Sequence, residues 1–249
     1  MHSSPAIVLR TRVYGESDKI VTFLTRDFGK LAAIAKGALR SRRRFVNSLE
    51  PFTHVRLGFR QRPQTDLAWV DSADIVRPVR NVTRDLDRYA WSTYVLEVVD
   101  CMVEGREAEP AVFELVEQML REIDTSYPRP LCPDWLRHFE ARLLGLSGFQ
   151  PRLDVCNRCS EPTAGGDREL RFNPRNGNLL CPRCSDGSGM AISGEAVSSI
   201  LRLRERPPDN GSLPAAIATE VRVLLQTAIA HHARRPLKAP AVLRDILGL

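Results

Sequence analysis

Lys19-Ile20-Val21-Thr22-Phe23-Leu24-Thr25-Arg26-Asp27-Phe28-Gly29-Lys30-Leu31-Ala32-Ala33-Ile34-Ala35-Lys36 reads as two strands joined by a turn. Branched and aromatic residues fill positions 19–25, Arg26-Asp27-Phe28-Gly29 turns the chain, and 30–36 runs back. Upstream, Ala6-Ile7-Val8-Leu9-Arg10-Thr11-Arg12-Val13-Tyr14 is another strand candidate, followed by a Gly15-Glu16-Ser17-Asp18 turn. Downstream, Phe52, His54, Arg56, Gly58 and Arg60 alternate with Thr53, Val55, Leu57 and Phe59, and residues 66–76 close the set. Short strands with turn signals between them predict a small closed barrel of about OB-fold size over residues 1–79; an SH3-like barrel has a similar pattern.

The charge follows the same division. Of 36 Lys and Arg and 30 Asp and Glu, residues 1–80 hold 15 and 7, and the remainder holds 21 and 23. The whole positive excess of this +6 chain therefore sits on the barrel, which points to an anionic partner, most often nucleic acid. Lys36, Arg40, Arg42, Arg43 and Arg44 crowd into one stretch without a strand pattern. Such cations repel one another unless an anion is present, and arginine forks suit phosphate oxygens. Arg56 and Arg60 share a strand face and extend the track. Phe45, Phe52 and Trp69 are candidate base platforms, with core packing as the competing role. A merely solvated loop is the bland alternative for the arginines.

From Val82 the apolar period becomes helical, through Leu86, Tyr89, Ala90, Thr93 and Leu96. This helix is expected to reach Val103, with Asp85, Asp87, Glu97 and Asp100 on a solvated face. Further helices are expected from Glu109-Pro110 to about Ile123, from Pro133-Asp134 to Gly148, after Ser193 as N-cap, from Pro214 to His232, and from Pro240. Ser126-Tyr127-Pro128-Arg129-Pro130 reads as a connector and Pro207-Pro208-Asp209-Asn210-Gly211 as a breaker. Cys101 fits a buried core position. Cys132 reads as a spare thiol. His231 and His232 suit the helix C-terminal dipole better than a metal.

Within residues 153–188, Cys156-Asn157-Arg158-Cys159 and Cys181-Pro182-Arg183-Cys184 bracket a short hairpin with an Asn176-Gly177 turn. A hairpin brings its ends together, so four thiolates converge in the geometry of a structural zinc ribbon. Two disulfides would need an oxidising compartment, and a thioredoxin-like motif would use one such pair. A rubredoxin-type iron site uses similar knuckles. Four sulfurs leave no open position, so Zn2+ here would hold structure. The expected fold class is α+β and multidomain: an N-terminal OB-fold β-barrel, then a helical domain over 80–249 with an inserted four-cysteine zinc ribbon. No apolar run spans a bilayer, and residues 1–6 lack a basic segment followed by an apolar core, so the expected compartment is the cytoplasm. No phosphate-binding loop, nucleophile elbow, dinucleotide fingerprint or zincin motif is present.

The order of short strings across the chain resembles the RecO family of recombination-repair mediators. These are Ile7-Val8-Leu9, Gly15-Glu16-Ser17-Asp18-Lys19, Phe28-Gly29-Lys30-Leu31, Ala35-Lys36-Gly37, the arginine-rich loop, Leu49-Glu50-Pro51-Phe52, Phe139-Glu140 with Leu143-Leu144-Gly145, Gly148-Phe149-Gln150-Pro151 and the four cysteines. Some members lack the cysteines, so the ribbon places this chain with the zinc-bearing ones. The resemblance implies a non-enzymatic, nucleoid-associated protein that binds single- and double-stranded DNA and anneals complementary strands. It also implies RecR as a partner, RecF in some systems, the acidic C-terminal tail of single-stranded DNA-binding protein, and assistance in loading RecA. Two rival readings stand beside it: a ribbon-containing adaptor whose barrel binds an acidic protein, and a zinc enzyme with an open coordination position.

Overall fold

The computed structural model describes all residues except 62–64, 66, 106, 127–131, 167, 209–211 and 248–249. The chain divides into two compact units, Met1–Arg129 with Leu237–Leu249, and Pro130–Pro236. These units do not follow a boundary at residue 79, because the first two helices and the last one group with the barrel.

The first unit contains the expected barrel. Strands β1 (His2–Tyr14), β2 (Asp18–Thr25), β3 (Gly29–Ala35), β4 (His54–Arg60) and β5 (Ala68–Arg77) close in the order β1-β2-β3-β5-β4. Closure depends on the length of β1. Its first half pairs with β4, from His2 opposite Phe59 to Ile7 opposite His54. Its second half pairs with β2, down to Tyr14 opposite Asp18. A bulge between Val8 and Arg10 lies near where β1 passes from pairing with β4 to pairing with β2 alone. A short parallel contact, Ala33 with Ala68 and Ile34 with Trp69, seals the far side. This connectivity is OB-like. Ala6, Val8, Val21, Phe23, Leu31, Val55, Leu57, Phe59 and Val70 fill the interior.

Several boundaries differ from the expected ones. β1 starts at His2 and not Ala6, because residues 2–5 pair with β4, a contact that no local pattern reports. β4 starts at His54: Phe52 lies at φ 72°, outside any strand conformation, with its N–H donating to the Val8 carbonyl at 3.0 Å. The described part of β5 begins at Ala68, and Asp66 lies outside the described residues, as does most of the connector at 126–130 and of the breaker at 207–211.

Helix α1 (Leu86–Met102) starts four residues later than its apolar period suggests, at an Asp85 cap that accepts from the Arg88 N–H at 3.0 Å. Leu86 and Tyr89 are exposed, and the buried face is Ala90, Trp91, Tyr94, Val95, Val98, Val99 and Met102. The expected solvated acidic face on this helix is not there. Asp85 is the cap, and Glu97 accepts from the backbone of Lys238 and Ala239, at the start of α6 (Ala239–Leu247). Asp100 is largely buried, 3.2 Å from Arg10 and 3.5 Å from Lys30. Only Asp87 is exposed, because opposite charges and backbone N–H groups draw the others inward. On α2 (Pro110–Thr125), Asp124 accepts from the N–H groups of Arg80, Asn81 and Val82, fixing the chain as it leaves the barrel.

The second unit holds α3 (Asp134–Leu146), the sheet β7-β6-β8 (β6 Glu169–Asn173, β7 Asn178–Leu180, β8 Met190–Ser193), α4 (Gly194–Glu205) and α5 (Ala215–His232). The hairpin β6–β7 was expected. Strand β8 was not: it pairs Ile192 with Leu170 and ends in Ser193, whose hydroxyl caps α4 at the Ala196 N–H. Gly189, at φ 94°, permits that pairing, since a Cβ there would lie 2.8 Å from the Phe172 carbonyl oxygen. Cys101 is buried, as its apolar neighbours suggested, and His232 stacks on Phe149 with ring centroids 4.3 Å apart.

Removing the Asp100 carboxylate takes a charge partner from Lys30, whose side chain is only 16% exposed. Asp100→Ala is expected to lower unfolding stability by about 2–4 kcal/mol, read as a shifted urea midpoint with an unchanged slope. A midpoint within error of the parent would show that the two barrel cations find other partners.

Candidate nucleic-acid interface and metal centre

The arginine-rich loop is anchored apolar-side down. Ala38, Phe45 and Leu49 are buried and join the barrel core. The other contacts tie the loop to the β1–β2 turn. The Asp18 carboxylate accepts from the Gly37 N–H at 2.8 Å and pairs with Lys36 Nζ at 2.8 Å. The Leu39 N–H donates to the Ser17 carbonyl at 2.9 Å. Gly37 lies at φ 69°, which lets the chain turn out of β3 at this clasp. The Gly37 N–H, with Lys36 beside it, holds the Asp18 carboxyl down at about 2.

With the backbone held, the cations differ in what they meet. Arg40, Arg42 and Arg43 are exposed, and no carboxylate among the described residues pairs with them. Arg44 lies over the Phe45 ring, 4.4 Å from its centroid, and donates to the Lys36 carbonyl at 3.1 Å. Lys36 is half exposed but paired with Asp18. Arg60 is forked onto Asp71, with Nη2 at 2.7 Å and Nε at 3.0 Å. Arg56 is exposed and stands opposite Asp74 in the β4–β5 register. Of the three aromatic platforms suggested by the sequence, Phe45 and Phe52 are buried, and Trp69 is partly exposed. Tyr14, half exposed on the strand beside the loop, is absent from that set because its alternation with Arg12 looks like any solvated strand edge.

In the second unit, Cys156, Cys159, Cys181 and Cys184 place their four Sγ atoms within 4.8 Å of one another. No sulfur–sulfur bond joins the six cysteines, and the four convergent sulfurs match the metal reading and not two disulfides. Cys159 and Cys181 sulfurs are 3.7 Å apart. A tetrahedral shell with metal–sulfur bonds of about 2.3 Å has an edge of roughly 3.8 Å, so the donor set fits one ion of that type. Each knuckle is a tight turn: Ser160 N–H donates to the Cys156 carbonyl at 2.8 Å, and Ser185 N–H to that of Cys181 at 3.0 Å. Asn157 locks the two knuckles together, exchanging bonds with the Leu179 backbone at 2.7 and 2.8 Å. Burial pushes the Cys156 thiol up, but N–H groups of Cys181, Cys159 and Arg158 outweigh it and bring the thiol down to about 6. The thiol of Cys184, hydrogen-bonded to Cys159 and packed among the other sulfurs, is pushed up to about 12. Four sulfurs this close cannot all ionise without a cation between them.

The family model described as "Recombination protein O N terminal" matches residues 1–79, and "Recombination protein O C terminal" matches 83–241. The chain belongs to the RecO family. A relative from Anaeromyxobacter dehalogenans (strain 2CP-C), named DNA repair protein RecO, is 36% identical over 245 residues, covering 96% of this chain and 94% of the relative. One from Syntrophus aciditrophicus is 35% identical over 255 residues, covering 98% and 96%, and one from Myxococcus xanthus is 34% identical over 242 residues, covering 96% and 95%. Both carry the same name. The family is one of DNA repair and recombination, and the N-terminal RecO model ends where β5 does, near Arg77. Among the described residues no helix is long and apolar enough to cross a membrane.

The Asp18 clasp gives the loop a pH dependence. A carboxyl held low in the folded state contributes order above its free value, and that order is lost as pH falls through about 2. Protection of the amides at 36–44, taken relative to intrinsic exchange at each pH, is therefore expected to hold at pH 5 and to fall between about pH 4 and 2. Asp18→Asn should show accelerated exchange already at pH 7. Equal protection in parent and variant at pH 7 would show that Phe45 alone holds the loop.

Proposed function

We propose that this chain is a non-enzymatic recombination mediator that binds single- and double-stranded DNA through the barrel and anneals complementary strands. Arg40, Arg42 and Arg43 are the principal phosphate contacts, with Lys36 and Arg44 beside them and Arg56 and Arg60 as flanking sites. The observation that carries the reading is the exposure of Arg40, Arg42 and Arg43 without carboxylate partners among the described residues, on a backbone anchored by Phe45 and Asp18. Like charges held together on a rigid support stand ready for a polyanion, because their repulsion is relieved when phosphates neutralise it. Annealing requires neutralisation of two phosphate backbones and no bond-making step, which a basic barrel can supply. Lys36 and Arg60 already have carboxylate partners, so their contribution is weaker than that of the three arginines. The partners that go with this role are RecR, in some systems RecF, and the acidic tail of single-stranded DNA-binding protein, and the outcome is RecA loading on coated strands.

We further propose Zn2+ as the ion of the four cysteines, with a structural role. Leu153, Leu170, Phe172, Leu179 and Ile192 form a small apolar centre around the ribbon. So few side chains bury little surface, and a bound ion can add on the order of 10 kcal/mol to local folding.

Reversing Arg42, Arg43 and Arg44 to Glu is expected to weaken binding of an unstructured oligonucleotide by far more than tenfold at low salt. The slope of log affinity against log salt should become shallower by about 2, because three phosphate contacts are lost. An unchanged affinity and slope would remove the loop from the interface. A wild-type chain that captures an acidic tail peptide but no oligonucleotide would favour the adaptor reading.

For the metal, one zinc per chain is expected by elemental analysis, with four sulfurs in the cobalt-substituted spectrum. Cys181→Ser should lose the ion and show fast amide exchange over the ribbon, while oligonucleotide affinity stays within about twofold. Iron in stoichiometric amount, or a mixed ligand shell, would contradict the assignment.

A further inference from the structure

The side of the barrel facing away from its core carries an ordered row. Opposite residues in a sheet point to the same face. Arg12 is opposite Ile20, Ile20 opposite Ile34, Ile34 opposite Trp69, and Trp69 opposite Arg60. Ile20 and Ile34 are buried, Trp69 is partly exposed, and Arg12 is exposed. The next position along β1 on this face is Tyr14, opposite Asp18. Asp18 is the residue that clasps Lys36 and Gly37. Tyr14 therefore lies across from the residue that holds the start of the arginine-rich loop, with Arg12 before it on the same face of β1.

The Tyr14 side chain is 52% exposed. Val13, at 63%, is next to it in the chain, and Leu39, at 42%, is tied to the same turn by its bond to Ser17. Leaving these three in water forgoes the burial that Phe45 and Phe52 obtain a few residues away. An exposed phenol ring between Arg12 and the start of a cationic loop has the layout of a single-strand site: cations track the phosphates while an aromatic face receives a base. A duplex cannot use such a ring in the same way, because its bases are stacked inside.

We propose that Tyr14 is a base-stacking platform that gives the barrel a preference for single strands over duplex. This rests on the nucleic-acid reading above. The occupant is a base of a single-stranded nucleic acid whose flanking phosphates lie against Arg12 and against Arg40, Arg42 and Arg43. The ring adds no charge, so it changes affinity without changing salt dependence, whereas the arginines change both.

The test uses the full chain with a fluorescent oligonucleotide and a duplex of the same length. Tyr14→Ala is expected to weaken single-strand binding roughly 5- to 100-fold with the salt slope unchanged, and to leave duplex binding within about twofold. Tyr14→Phe and Tyr14→Trp should restore single-strand binding, since either offers a ring. A 2-aminopurine base in the oligonucleotide should be quenched by the parent and less by Tyr14→Ala. Equal single-strand affinity of Tyr14→Ala and parent overturns the proposal. So does an equal loss on both substrates, or a loss that Phe and Trp fail to restore. The broader reading fails separately, if the parent chain binds no oligonucleotide or the loop reversal leaves binding unchanged.

Discussion

Burial of Phe45 and Leu49 in the end of the barrel is what holds the cationic surface together. Lys36, Arg40, Arg42, Arg43 and Arg44 would spread apart in a free loop, each retreating into solvent. Fixing a residue's backbone costs about 1–2 kcal/mol, so a loop of this length stays ordered only if something opposes that cost. Two apolar side chains in the core contribute several kcal/mol together. The Asp18 carboxylate adds a charge-assisted bond to Gly37 and a pair with Lys36. Order and exposure are thus assigned to different side chains of one segment.

The same use of acids runs through the first unit. Asp100 sits between Arg10 and Lys30, Glu97 receives the start of α6, and Asp124 gathers three N–H groups where the chain leaves β5. Each carboxylate positions backbone or a cation. Among the described residues, none of them pairs with Arg40, Arg42 or Arg43. On a barrel that is basic overall, local pairing concentrates the exposed, unpaired arginines in this loop. The second unit solves a different problem. Its ribbon has little apolar surface to bury, and convergent thiols stand where a larger core would otherwise be needed.

Much of this was legible in the linear pattern because it depends on residues close in sequence. Alternation and turns located the five strands, the paired Cys-x-x-Cys steps located the ribbon, and the clustered arginines located the loop. What escaped depends on partners distant in sequence. Residues 2–5 are a strand only because β4 lies beside them. Phe52 leaves the alternation through a left-handed backbone conformation that no residue type advertises. Asp100 looked solvated because helical spacing alone does not reveal Arg10 and Lys30 across the packing face. Strand β8 is too short to stand out, and exists because Leu170 and Phe172 offer it an edge.

Residue order alone carried the barrel, the helical remainder, the four thiols and the site of the positive excess, since apolar period and charge count survive without coordinates. Folding then sorted residues of one chemical type into opposite roles. It sent Phe45 and Phe52 inward and left Tyr14 out, and it gave Arg60 to Asp71 while sparing Arg42. An aromatic ring or a guanidinium carries the same chemistry wherever it stands. Whether it packs, pairs or faces solvent is set by neighbours that only the closed barrel brings within a few ångströms.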